Sequence, residues 1–286
     1  MKSELKSGSA LKSDRSVIIA YFVLTPLAVL MLVPLLFMFT TSVKALSDIL
    51  SLDFRWVPRR FAWENFQRVI QVMPFGRYLY NTASIVVMTF AVQSVTISLA
   101  AYAFARLRFP GRDLLFFLFL VQLMIPATSI IIPNYQTVRY LGLLNTRMAV
   151  GIVYFASAYG TFLMRQAFRA IPRDLEDVAR IDGCNGLRVI RHVLLPLTKP
   201  SLIAFAFVSG TFHWNNFFWP LLVTDTVRAR TLTVGLAMLT QATESTPEIT
   251  ITMAAAVMIT APLFILFVAF QKPFIQSFAG AGALKG

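Results

Sequence analysis

The chain has 286 residues, of which 57% are hydrophobic and 14% charged, with a formal net charge of +13. Soluble domains carry about 25% charged residues, so the composition excludes an ordinary water-soluble globular domain. A single cysteine, Cys184, excludes an internal disulfide, and the positive charge fits membrane topology and anionic head groups rather than nucleic acid.

Residues 1–15 are polar and rich in Ser and Lys, and predict a cytoplasmic tail. Six stretches then contain no Asp, Glu, Lys or Arg: 17–43, 78–105, 114–138, 148–164, 200–224 and 249–271. About 20 apolar residues span a hydrocarbon core, so these predict six transmembrane helices within a domain over 16–276, and an all-α membrane fold. None shows the polar stripe of a soluble amphipathic helix or the alternation of a barrel strand. The first run exceeds a signal-peptide core and is expected to stay as an uncleaved helix. Pro26 and Pro34 predict a kink there, and Pro126 and Pro133 predict a bent or broken third helix. Between the first two runs, Trp56, Trp63 and Phe66 of the 44–77 loop suit an interface or a partner.

Orientation follows from Lys and Arg. The side holding the N-terminus, the 106–112 loop, the 165–199 segment and the C-terminus carries 16 of them, against 10 on the other side. Both termini, including a tail at 277–286, are therefore expected in the cytoplasm.

Between the fourth and fifth runs the chain turns polar, with DLEDVARIDGCNGLRVIRHVLLPLTKP at 174–200. Pro172 suits a helix start, and Asp174, Glu176 and Asp177 place negative charge at the positive end of the helix dipole. Leu175, Val178, Ala179 and Asp182 share one face. Gly183 stops the helix, and Asn185 caps a second one that ends before Pro196. Residues 172–198 thus predict two short surface helices joined by a glycine. On these grounds alone, an interfacial amphipathic pair and a docking device both fit.

The spacing adds a specific resemblance. Asp177-Val178-Ala179, three residues, Gly183, nine residues and Val193-Leu194-Leu195-Pro196 resembles the EAA motif, with Asp, Val and Val where that motif has Glu, Ala and Ile. The motif marks permease subunits of binding-protein-dependent ABC importers. ARLRFPGRD, TFLMRQAF, WNNFFWPLLVT and the terminal FQKPFIQSFAGAGALKG are similar to the carbohydrate branch, the maltose-type and glycerol-3-phosphate-type inner-membrane permeases. The resemblance implies a type I importer transmembrane domain, with the 172–198 loop as coupling helix between helices 4 and 5. Glu176, Asp177, Val178, Ala179, Asp182, Gly183, Leu195 and Pro196 would then contact an ATPase subunit, with the acids free to pair with its basic groups. The implied partners are a second homologous permease, two ATPase copies that hold ATP and Mg, an extracytoplasmic solute-binding protein, and lipid. In maltose-type relatives the last residues, here 279–286, also reach the ATPases; a frayed terminus is the alternative.

No catalytic or metal chemistry is expected of this chain. It has no phosphate-binding loop, and His192 and His213 lack ligand companions at metal spacing. For the solute path the candidates are His213, Trp214, Asn215 and Asn216, with Gln93 and Gln122 behind them, since polar groups in a bilayer face the bundle interior. Helix–helix bonding and an interfacial aromatic belt explain the same residues, and Trp219 belongs with them. The function expected is uptake of a sugar or sugar-like solute. The alternative is an ion-gradient-driven secondary transporter, which the absence of any carboxylate in the six runs disfavours.

Overall fold

The structure, a computed structural model, describes residues 4–51, 55–242 and 249–283. All regular elements among the described residues are helical. The chain forms two compact units, one of Met1–Val72 with Leu239–Met258 and the other of Met73–Met238 with Ile259–Gly286.

The first unit begins with α1 (Glu4–Ser42), followed by α2 (Leu46–Leu50) and α3 (Glu64–Val72). Helix α1 continues through Pro26 and Pro34 without ending. From residue 17 to residue 37 its side chains are all exposed, which is how an apolar helix looks when its solvent is lipid. Its last carbonyls are satisfied from α3. The buried Asn65 donates through Nδ2 to the Ser42 and Lys44 carbonyls, 2.9 Å each, groups that a helix end leaves without partners. Trp63 of the expected loop stacks between Phe61 and Phe66 and stays exposed, as does Trp56.

The second unit is built on α4 (Phe75–Arg106), which packs along α8 (Ala158–Ala170) and α12 (Lys199–Asn215). Between these run α5 (Arg112–Val121), α6 (Ile131–Tyr140) and α7 (Arg147–Gly151). Three short helices, α9 (Asp174–Ile181), α10 (Gly186–Val189) and α11 (Leu195–Leu197), precede α12. After it come α13 (Phe218–Val223), α14 (Leu232–Ala242) and α15 (Ile249–Ala283). Helices α1 and α15 run across residues 16 and 276, where the sequence places tail boundaries; residues 284–286 of that tail lie outside the described residues.

Among the described residues, three stretches are long and apolar enough to cross a bilayer as single helices: Val17–Ser42, Phe75–Arg106 and Ile249–Ala269. Up to six result if each bent pair counts as one span. The expected third helix breaks by 99° between Arg112–Met124 and Ala127–Tyr140. Ile125 is extended there (ψ 120°) because Pro126 follows it. The fourth bends by 49°, at a break the runs do not predict. Its cause is Ser157, whose Oγ accepts the Gly160 N–H at 3.0 Å and starts α8 afresh. The third bent pair, Gly186–Leu197 with Lys199–Asn215, meets at 81°, and its first half lies in the segment read from sequence as surface. The fifth apolar run divides again at Asn216, between α12 and α13.

Helix α4 shows the pattern of a span inside a protein bundle. Its buried face is Tyr78, Asn81, Thr82, Ile85, Thr89, Gln93, Ile97, Ala101, Tyr102 and Ala105, at helical spacing. Val87, Val95 and Leu99 face outward. Polar groups point in and apolar ones out, the reverse of a soluble surface helix.

Close approach of α8 to α12 depends on Gly160. A Cβ there would lie 2.6 Å from the buried Phe205 ring and 3.0 Å from Ile97. Gly160→Val is expected to destabilise by about 1–3 kcal/mol, seen as a lowered thermal-unfolding midpoint of the purified protein.

Candidate functional site

The 172–198 segment forms α9 and then a continuous helical run from Gly186 to Leu197, which passes through Pro196 rather than ending before it; the joint between the two is closed by local bonding. Gly183 has φ +82°, the Cys184 N–H donates to the Ala179 carbonyl at 2.9 Å, and the Gly183 N–H donates to Arg180 at 3.0 Å. This is a Schellman cap, which favours glycine at the left-handed position. Nothing lies within 4 Å of where a Cβ on Gly183 would stand. The glycine therefore serves the turn, through its left-handed backbone, rather than any close packing within this chain. Asn185 caps α10, its Oδ1 accepting the Arg188 N–H at 3.0 Å. A π-helical turn, Ile190–Leu194, leads to α11 and Pro196.

The inner face of this segment rests on the end of α4. Ala179, Val189, Ile190 and Leu194 share one apolar cluster with Ala101, Tyr102 and Ala105 of α4 and Met164 and Phe168 of α8. Glu176 is buried and forms an ion pair with Arg106, the last residue of α4; the two side chains are 4% and 6% exposed. The Arg106 Nη2 also donates to the carbonyls of Phe168 (2.7 Å) and Ile171 (2.9 Å), at the C-terminal end of α8. In return Arg165 of α8 donates through Nε to the Phe104 carbonyl of α4 at 3.2 Å, with its guanidinium over the Phe116 ring at 4.0 Å. Each helix thus caps the other with an arginine, and the first turn of α9 is fixed into the same joint. Beside it lies a cavity of about 220 Å³ lined by Arg106, Arg108, Arg173, Glu176, Asp177 and Arg180.

This corrects two expectations. Glu176 is not offered to a partner, because its carboxylate is enclosed with Arg106, and a buried charge needs its counter-ion. Ala179 does not share the outward face, because it packs into the core. The outward face is instead Leu175, Val178, Ile181 and Leu187, 47%, 58%, 84% and 66% exposed, flanked by exposed Asp177, Asp182 and Gly183. Leu195 is half-buried and Pro196 exposed. Sequence reasoning missed Arg106 and Arg165. The available signal was an arginine directly after each of the runs 78–105 and 148–164, which was read only as topology.

The solute-path candidates fall apart into separate roles. Gln93 is buried, accepts from Ser209 Oγ at 2.6 Å, donates to the Tyr154 carbonyl at 2.7 Å and lies 3.5 Å from His213 Nε2. His213 is buried against Tyr154, ring centroids 4.9 Å apart. The Trp214 indole donates to the Ile259 carbonyl at 3.1 Å, and that of Trp219 to Ala149 at 3.1 Å. Both indoles are buried within the chain, 6% and 3% exposed. Trp214 also borders an apolar groove of about 340 Å³ with Val86, Ile203, Phe207 and Leu263, a poor receptacle for hydroxyl groups. Asn216 binds the Tyr154 hydroxyl at 3.0 Å, Asn215 bonds back to Thr211 in its own helix, and Gln122 is exposed on α5's continuation, apart from the others. Gln93, Trp214 and Asn216 thus bond neighbouring elements, and His213 packs beside Gln93 and Tyr154, as helix–helix bonding would have it.

Apolar helices with broken spans and a short helix clamped at one end define the class of a multi-pass membrane protein. Residues 94–279 match the family described as binding-protein-dependent transport system inner membrane component, and the chain belongs to that family. It is thus a permease of a binding-protein-dependent importer and a multi-pass inner-membrane protein. It is 31% identical over 257 residues to the sn-glycerol-3-phosphate transport system permease protein UgpE of Rhizobium meliloti (strain 1021), covering 87% of this chain and 90% of that protein. It is 37% identical over 212 residues to the arabinooligosaccharides transport system permease protein AraQ of Halalkalibacterium halodurans, covering 74% of each. Among solved structures, a chain of a bacterial ABC transporter involved in the import of the acidic polysaccharide alginate superposes with a TM-score of 0.79 at 26% identity, over 91% of this chain and 97% of that one. A chain of the alginate transporter in complex with its pentasaccharide-bound periplasmic protein shares the fold, with a TM-score of 0.64 at 13% identity over 90% and 94%.

Gln93→Leu leaves the Ser209 hydroxyl and the Tyr154 carbonyl without their partner. The expected loss is about 1–3 kcal/mol of stability, measured by thermal unfolding, with the KM for transported solute unchanged.

Proposed function

We propose that this chain forms one half of the translocation pathway of an ATP-driven importer for a sugar or sugar-like solute, delivered by an extracytoplasmic binding protein. The other half is a second, homologous permease. Two ATPase subunits bind ATP and Mg on the cytoplasmic side, the side that the Lys and Arg bias favours for both termini and α9. The observation that carries this reading is the ridge of Leu175, Val178, Ile181 and Leu187. These are large apolar side chains exposed on short helices that are fixed from behind to the protein core. An exposed apolar patch rimmed by charge suits a protein contact, and Asp177 and Asp182 supply the rim. Closure of the ATPases on ATP then moves α9, and the bundle opens toward the binding protein. The nucleotide biases this equilibrium through its different affinity for the two states.

The similar proteins are named for a phosphorylated polyol, an oligosaccharide and an acidic polysaccharide. We assign this chain the same broad solute class, with the partner permease making most of the direct contacts. The internal commitment of Gln93, His213 and Trp214 supports that division.

Ile181→Cys, in the assembled complex, is expected to cross-link to an engineered cysteine on the ATPase surface. Gly183→Val is expected to cost about 1–2 kcal/mol in backbone strain and to lower solute uptake more than tenfold, while the complex still assembles. Ready uptake by Gly183→Val, or an Ile181→Cys side chain open to water-soluble reagents in the intact complex, would contradict the docking role.

A further inference from the structure

We infer that Arg106 is the positioning residue that joins the coupling helix to two spans at once, resting on the reading of α9 as an ATPase contact. Three observations converge on one guanidinium. Arg106 is the final residue of α4, so its backbone moves with that span. Its Nη2 holds the Phe168 and Ile171 carbonyls at the end of α8, at 2.7 and 2.9 Å. Its Nε is paired with Glu176, in the first turn of α9. A planar guanidinium with donors in fixed directions can hold several acceptors in one geometry. The two carbonyls are held by hydrogen bonds and Glu176 by charge contact, and with both side chains almost fully enclosed water screens that contact little.

The consequence is mechanical. The only covalent path from α8 to α9 runs through Ile171, Pro172 and Arg173, and a three-residue connection alone would let α9 swing. The ion pair removes that freedom on the face of α9 opposite the exposed ridge. A push on Val178 or Ile181 is therefore delivered to α4 and α8 together. Tyr102 adds a weaker second contact, its hydroxyl accepting from Arg180 Nη2 at 3.3 Å. Asp177, one residue from Glu176, cannot replace it, because its side chain is exposed while that of Glu176 is enclosed.

The test uses the full complex in proteoliposomes and reads the amount of solute moved per ATP hydrolysed, normalised to assembled complex. Glu176→Gln keeps the side-chain volume and leaves Arg106 on the α8 carbonyls, so it removes only the charge that holds the α9 arm. Arg106→Gln releases all arms. Each is expected to lower the ratio about tenfold, within the range that substitutions on a coupling route produce. Arg106→Lys, which keeps the charge without the fork, is expected to recover part of the loss. A merely structural role would reduce the amount of assembled complex and leave the ratio unchanged. An unchanged ratio in Glu176→Gln, or an Arg106→Lys no better than Arg106→Gln, overturns the inference. The Ile181→Cys cross-link is run in parallel. If it forms and the ratio holds, only the Arg106 inference fails. If it never forms, the ATPase contact fails and this inference with it.

Discussion

In an apolar surrounding, every backbone carbonyl left over at a helix break has to find a donor within the protein. The polar side chains of this chain are largely explained by that constraint. Asn65 serves the end of α1, Arg106 the end of α8, and Arg165 the end of α4. Gln93 and Thr96 bond the Tyr154 and Phe155 carbonyls at the bend before α8. Asn81 holds the Val227 and Arg230 carbonyls, and Thr233 holds the carbonyl of Asn216 where α12 gives way to α13. The spans can bend because neighbouring spans carry the matching donors.

This explains why polar residues in apolar runs do not by themselves mark a solute path. A hydrogen-bonding side chain in a span satisfies the same sequence rule whether it faces cargo or a neighbour's backbone. Only the three-dimensional structure distinguishes them, and here Gln93, Trp214 and Trp219 are each directed at a carbonyl. His213 follows the same logic, enclosed by Tyr154, Phe212 and Gln93.

Local features were the legible ones. The apolar runs, the left-handed Gly183, the Asn185 cap and the break at Pro126 all follow from side chains within a few residues of their effect. The break at Ser157 was also local, yet it was hidden by a run that composition alone made continuous. The Arg106–Glu176 pair was out of reach, because 70 positions separate its members and nothing in either neighbourhood names the other. For the same reason the face of α9 was assigned imperfectly. Its large apolar residues Leu175, Val178 and Ile181 point outward, while Glu176 turns inward beside Ala179 and is matched there by the buried Arg106.

Helix α1 stands at the other extreme. From residue 17 to residue 37 no side chain is enclosed by the rest of the chain, so solvent preference rather than shape selects what occupies those positions. Leu, Ile, Val and Phe differ there by only about 0.3 kcal/mol, whereas one Lys or Asp costs about 2.5–3.5 kcal/mol at the centre of a span. Over evolutionary time this helix should drift freely among oily residues and resist almost nothing but charge. The stripe on α4 around Gln93 and Ile97 should hold its identities while its surroundings change. Two spans of one chain would then keep different records of their history, one of the lipid and one of the fold.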